Sequence, residues 1–233
     1  CFIYAQDDIQ KQYSLDANYF YGTIIEHSPD LEHLITGHPT GIIFGFNRKT
    51  FGEKSWERRY NYPDAKVLLH RILNEKLLEA KAVFGLFPAN SINDDDIEIQ
   101  YEEASEEKNI TFRTLRQQLK KHREKPNFAL ADFIAPKDTG IQDYMGCFCV
   151  STGFGTEELA AKFEAEHDDY NSIMIKALAD RFAEAFAEYL HKRVRTQDWG
   201  YAKGENLSNQ ELIKETYKGI RPAPGYPACP DHL

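Results

Sequence analysis

From Thr156 to about Arg195 the apolar residues Leu159, Phe163, Tyr170, Met174, Leu178, Phe182, Phe186 and Leu190 recur at intervals of four and seven. That period is helical, and it sets one long amphipathic helix, or two with a bend, as the dominant element of the chain. Thr156 followed by Glu157 and Glu158 supplies a hydroxyl cap and an acidic first turn, while His191, Lys192, Arg193 and Arg195 place cations in the last. A single apolar stripe of this length has to be buried against something, and the preceding residues read as a sheet. Ile97, Ile99 and Tyr101 alternate with polar neighbours, and Val83, Phe84, Leu86 and Phe87 form a short apolar run that Pro88 should end. Further strands are predicted over 40–46, 110–115, 128–134 and 144–151. A helix is predicted over 63–80, with Asn61 as its cap, and a short one over 208–218, capped by Ser208 or Asn209 and stopped by Gly219. Several strands in succession followed by a long helix argue for an α+β domain with a twisted, largely antiparallel sheet rather than a βαβ repeat.

The composition narrows the function classes. Of 233 residues 42% are hydrophobic, which is enough for a real core. The 37 acidic against 28 basic residues leave a net charge of −9, and the cations are dispersed, so a phosphate-tracking nucleic-acid binder is not expected. Four cysteines and no charged-then-apolar leader fit a reduced, cytoplasmic compartment, and no apolar run approaches a membrane span. Starting at Cys1 and stopping at Leu233 after a proline-rich stretch, the chain reads as a piece of something larger.

Four places could carry chemistry. The run Asn93, Asp94, Asp95, Asp96 is first a turn; as a calcium loop it lacks the alternating ligands, the glycine and the distal Glu. Together with Asp168 and Asp169 it would be the only basis for a metal-dependent hydrolase. Residues 102–109 read as a charged, solvated hairpin connection. Cys147 and Cys149, with Cys229 and His232, invite a zinc site, yet their one-residue gap suits two small buried hydrophobes on one sheet face better than a zinc turn. Asp180 and Glu184 share the helix face opposite the large apolar stripe. They are either simply solvated or, beside the small Ala179, Ala183 and Ala187, part of a cleft where two carboxylates could bias a cationic or redox-active ligand.

The fourth is GIRPAPGYPACPDH, from Gly219. Pro222, Pro224, Pro227 and Pro230 should hold it extended with its carbonyls free, Arg221 offers a bidentate fork for a carboxylate, Gly225 allows a φ that the prolines do not, and Tyr226 adds a flat face or a hydroxyl. Such a segment suits a zwitterionic, amino-acid-like ligand, or it is a surface linker.

The segments FGLFPAN (84–90), DDIEI (95–99), LRQQ (115–118), LADFIAPK (130–137), HDDYNSIMIKALADRFAEAFAEYLHKRVR (167–195), WGYA (199–202) and GIRPAPGYPACPDH (219–232) resemble the activation domain of cobalamin-dependent methionine synthase. The resemblance covers 51–233, truncated at its C-terminal end, and leaves 1–50 as a poorly matched N-terminal segment. It implies a C-shaped single α+β domain that binds S-adenosylmethionine and presents it to the cobalamin-binding domain of the same polypeptide. There, an electron from flavodoxin or a flavoprotein reductase and a methyl group from S-adenosylmethionine restore methylcobalamin from cob(II)alamin. The parent activity is a methyltransferase that makes methionine from homocysteine and 5-methyltetrahydrofolate, and the isolated domain is not expected to turn over alone. On this resemblance Arg221 holds the ligand carboxylate, the backbone around Ala223 and Gly225 holds its adenosyl and amino parts, and Tyr226 flanks it. Asp180 and Glu184 correspond to the family's paired catalytic acids facing cobalamin. Glu26, in Ile25, Glu26, His27, Ser28, Pro29, stands nearest to an Asp that contacts the ligand's amino group. No metal ligands are implied. Flavodoxins being acidic, docking would use a local basic patch, Lys120, Lys121, Arg123 and Lys125. The competing reading is a non-catalytic interaction module of the same fold that docks a flavodoxin or cobalamin domain.

Overall fold

The computed structural model describes residues 2–5, 20–26, 62–103, 106–121, 125–208, 211–212 and 214–230, with the backbone alone at 2–5, 20–26, 62–63 and 102–103. The 40–46 strand, Asn61, Asn209, Arg123 and His232 lie outside them. In chain order the elements are β1 (Phe2–Ala5), β2 (Phe20–Glu26), α1 (Tyr62–Glu75), β3 (Glu79–Ser91), β4 (Asp96–Glu103), β5 (Glu106–Arg113), β6 (Asp143–Phe154), α2 (Thr156–Ala165) and α3 (Asp169–Arg193). All strand pairings are antiparallel, in the order β1-β6-β3-β4-β5 with β2 also on β3. This is the α+β arrangement expected.

β3 is the spine of the sheet. One edge pairs with β6 along its length, and the other is shared, with β2 along Ala80 to Leu86 and β4 from Ala89. The strand runs through Pro88 instead of ending there. Neither β2 nor β4 pairs with Pro88 on the shared edge, so the missing N–H costs no ladder bond on that side. Alternation then sorts the sheet into two faces. Ala80, Ala82, Phe84, Leu86 and Phe148 pack on the helices, against Leu68, Leu69 and Ile72 of α1, Leu159 and Phe163 of α2, and Leu178, Phe182 and Phe186 of α3. The opposite face carries Ala89, Ile97, Ile99 and Met145 under Leu130, Ala131 and Ile134, with Ile220 and Cys229 packed alongside.

The long apolar period resolves into two helices. His167 turns the chain at φ 59, and Asp168 caps α3 by accepting a hydrogen bond from the Asn171 backbone at 3.0 Å. Thr156 is not the cap of α2. Gly155 holds that position at φ 93, where a Cβ would stand 2.7 Å from the Leu77 carbonyl oxygen. Four other expectations are corrected. The first helix ends at Glu75, because Lys76 turns left-handed at φ 52 and releases Leu77 and Leu78 toward β3. Residues 102–109 are mostly strand, with Glu102 opposite Glu107 and Glu103 opposite Glu106. Over 128–134 there is a 3-10 turn, Leu130–Phe133, whose Asp132 carboxylate accepts from the Ala129 N–H and from Arg116, while Leu130 and Ala131 turn inward. The short helix beyond Ser208 is a helical turn that ends where Glu215 takes φ 54; Ser208 and Glu211 bond each other's backbone N–H in a reciprocal cap.

Candidate functional site

The candidate site lies where the last turns of α3 meet the chain that returns after it. Beyond α3 a π-helical turn, Val194–Asp198, leads through Trp199 and Tyr201 into a loop that folds back along the helix. Trp199 packs edge-on against Tyr144 at 6.1 Å between ring centroids, and the Tyr201 hydroxyl donates to the Lys218 carbonyl at 3.1 Å. The returning chain lays Glu205, Tyr217 and Arg221 over a charged stripe. Glu188, His191 and Arg195 are spaced by three and four, continuing the spacing of Asp180 and Glu184 down one side of the helix.

The covered part of that stripe is buried, and its arginine is paired. Arg195 is fully buried and makes a bidentate contact with Glu205, Nε to Oε2 at 2.8 Å and Nη2 to Oε1 at 2.6 Å. Its guanidinium lies 4.1 Å from the centre of the Tyr217 ring, whose face adds a cation–π attraction. His191, also fully buried, meets the same ring edge-on at 4.9 Å. Burial, and then the positive charges of Arg195 and Arg221, push the His191 pKa well below the usual imidazole value, so the ring is neutral. Burial also raises the Tyr217 phenol.

Arg221 enters this cluster from the far side. Its Nη2 donates to Oε2 of Glu188 at 2.6 Å, with the side chains 15% and 10% exposed respectively. Burial raises the Glu188 pKa, and the neighbouring Arg221 and Arg195 charges oppose that rise. The arginine therefore already holds a carboxylate, supplied by the protein's own helix.

After Arg221 the proline-rich segment is not extended with free carbonyls. It closes on itself: Tyr226 N–H donates to the Ala223 carbonyl at 3.1 Å, Cys229 N–H to the Tyr226 carbonyl at 2.9 Å, and Gly225 N–H to the Cys229 carbonyl at 2.8 Å. Gly225 takes φ 92, which permits the reversal. Ile220 and Cys229 fasten the turn to the second face of the sheet, which leaves Gly225 and Tyr226 exposed and Ala223 half-buried. The structure thus brings Arg221, Ala223, Gly225 and Tyr226 together on one rigid element.

The remaining candidates are placed around it. Asp180 is exposed and Glu184 half-buried. Four residues of helix separate Glu184 from Glu188 and eight separate Asp180, about 6 and 12 Å along the axis. Glu26 ends β2 opposite Ala80, nine residues along β3 from Ala89 and so about 30 Å from the sheet end that carries the turn. Its side chain is not among those described.

Cys147 is half-buried, and burial raises its thiol pKa to about 11. Cys149 is exposed rather than buried, since it pairs with the exposed Val83, beyond the half of this face that residues 129–141 and the 220–229 turn cover. In the acidic turn Asn93 Oδ1 accepts from the N–H groups of Asp95 and Asp96, and Arg116 ties Asp95 to Asp132. Among the described residues no group of three or more His, Cys, Asp or Glu is placed to hold a metal ion. Lys120 is exposed; Lys121 bonds Gln117 and the Pro126 carbonyl and lies 5.2 Å from the Phe128 ring centre.

Sequence reasoning missed Glu188, His191, Arg195 and Glu205. For the first three the signal was present as ionisable residues continuing the Asp180–Glu184 spacing toward the helix end; Glu205, in the returning loop, carried no such signal.

A family model described as the vitamin B12 dependent methionine synthase activation domain matches residues 45–233. The chain belongs to this family. A solved structure described as the MetH reactivation domain bound to AdoHcy is 46% identical, with a TM-score of 0.73 over 91% of this chain. The match spans 66% of that longer chain. Among the described residues no helix is long and apolar enough to cross a membrane.

Proposed function

We propose that this activation domain binds S-adenosylmethionine and offers its methyl group for the reductive reactivation of cobalamin held by a neighbouring domain of the same polypeptide. The observation that carries the reading is Arg221, fixed at the mouth of the closed 223–229 turn with its guanidinium already in a carboxylate contact. The AdoHcy in the 46% identical structure is the same ligand without its methyl group, which supports an amino-acid carboxylate as the natural partner of that arginine. When bound, S-adenosylmethionine supplies an electrophilic methyl on a positively charged sulfur.

The chain's part is to bind and orient. Arg221 fixes the carboxylate end of the ligand, and the rigid turn sets Ala223 and Gly225 against its length with little side-chain bulk. The exposed Tyr226 ring gives a flat wall. Two and one helical turns from Glu188, respectively, Asp180 and Glu184 present negative charge on the surface that would face the cobalamin domain, where it favours a cationic sulfonium. Holding the reacting atoms in line removes much of the entropic barrier to a two-body transfer. An electron donor such as a flavodoxin would dock elsewhere, at the cations near Lys120 and Lys125.

Isothermal titration of S-adenosylhomocysteine into the intact protein tests the reading. Wild type binds, and Arg221→Ala loses about ten- to a hundredfold in affinity, the worth of a charge-assisted hydrogen bond. Equal binding by the two proteins, or no heat with wild type, overturns it; the second outcome would favour the interaction-module reading.

A further inference from the structure

We infer that Glu188 is an internal stand-in for the ligand's carboxylate, holding Arg221 when the site is empty and setting how tightly, and at what pH, a carboxylate ligand is bound. The inference rests on the preceding assignment of Arg221. Three observations carry it. The Glu188 contact is short and monodentate, Nη2 to Oε2 at 2.6 Å, and a guanidinium has five N–H donors, so one arginine can serve two carboxylates. Glu188 Oε1 is buried without a hydrogen-bond partner among the described residues, so this carboxylate is less than fully satisfied by them. Arg195, the other cation beside it, is committed to Glu205 by two bonds. A ligand carboxylate arriving on Arg221 therefore comes up against the negative charge of Glu188, beside which Arg221 and Arg195 are the cations among the described residues, and like charges on one guanidinium repel.

The groups around Glu188 fix the sign of the pH effect. Arg221 and Arg195 favour its charged form, Glu205 and Glu215 disfavour it, and burial disfavours it most. Neutral His191 and the raised Tyr217 phenol, packed in the same cluster, do not change charge near neutrality. A second carboxylate on Arg221 raises the Glu188 pKa further, so binding takes up a proton. Affinity then increases as pH falls toward the Glu188 pKa and weakens as pH rises.

The experiment is titration of S-adenosylhomocysteine into the intact protein between pH 5.5 and 7.5, for wild type, Glu188→Gln and Arg221→Ala. Glu188→Gln keeps the shape and the acceptor oxygen but removes the charge. It is expected to bind about five- to tenfold tighter near neutrality, a typical coupling between adjoining groups, and to lose most of the pH dependence. If Glu188→Gln matches wild type in affinity and pH profile while Arg221→Ala loses binding, this inference fails and the arginine assignment stands. If Arg221→Ala also binds normally, the assignment itself fails. A measurement on wild type alone covers the case in which Glu188→Gln does not fold: titration at pH 5.5 in two buffers of different ionisation enthalpy should show net proton uptake, and zero uptake overturns the inference.

Discussion

Asp180 and Glu184, and the trio Glu188, His191 and Arg195, occupy one stripe that runs down α3 into the π-helical turn after it, yet they live in different solvents. The upper pair faces outward, with Asp180 exposed, whereas the lower trio is buried beneath the chain that returns after the helix. Residue type does not decide this, since both halves contain a Glu one helical turn from its neighbour. The returning chain decides it, and it brings Glu205, Tyr217 and Arg221 to pair with what it covers. A charge that is covered has to be answered by a partner, and a charge left in water need not be. The open half is thus available to a second domain, while the covered half builds the wall that holds Arg221.

The contrast breaks first at Arg195. Replacing it with Ala leaves Glu205, 6% exposed, without its bidentate partner and removes the cation from the Tyr217 face. The expected loss is about 3–5 kcal/mol of folding stability in urea melts, the cost of stranding one member of a buried pair. Arg195→Lys, which keeps the charge but not the fork, should lose less. An Arg195→Ala protein as stable as wild type would mean that the covered half is wet in solution.

His191 sharpens the same contrast through pH. Its folded pKa lies well below the ordinary 6.5, so below that pH the unfolded chain binds a proton that the folded chain refuses. Stability from this residue is present above pH 6.5 and is lost as pH falls. Its contribution to the slope approaches about 1.4 kcal/mol per pH unit, or about 1 kcal/mol between pH 6.5 and 5.5. Comparing denaturation midpoints of wild type and His191→Gln across that range checks it: the variant's profile should be flatter. Equal slopes would show that His191 titrates in the folded protein.

What the chain discloses before folding follows from how far each partner is. Periodicity is local, so the α3 stripe, the alternating Ile97 and Ile99, and the strands-then-helix order are legible. The prolines of 222–230 mark that segment as unusual, but not that Gly225 folds it back onto the Cys229 carbonyl. Pro88 misleads as a strand end because what makes it tolerable, the gap between β2 and β4 on one edge, is a property of three strands at once. Val83 and Leu130 show the same limit in apolar residues: one is 54% exposed on a strand and the other fully buried in a turn, because the cover on the second face reaches only part of the sheet. Arg221 is recognisable as a carboxylate grip, whereas its partner Glu188 lies 33 residues away and only the tertiary fold joins them.

The smallest effect on stability belongs to the open half. Asp180→Asn and Glu184→Gln remove charges that no described hydrogen bond or ion pair employs. Each substitution should leave the urea midpoint within about 0.5 kcal/mol of wild type, as for ordinary surface positions. S-adenosylhomocysteine affinity should also change little, since the acids lie about 6 and 12 Å along the helix from Glu188. If they act on the cobalamin side, the loss appears only when the whole protein is reactivated, as a slower return of activity after oxidation. The double variant separates the two halves of the stripe most clearly: normal stability and normal ligand binding with impaired reactivation assigns the open face to the partner domain. A double variant that is as destabilised as Arg195→Ala would instead show that something covers this face, and the distinction between the two halves would fall.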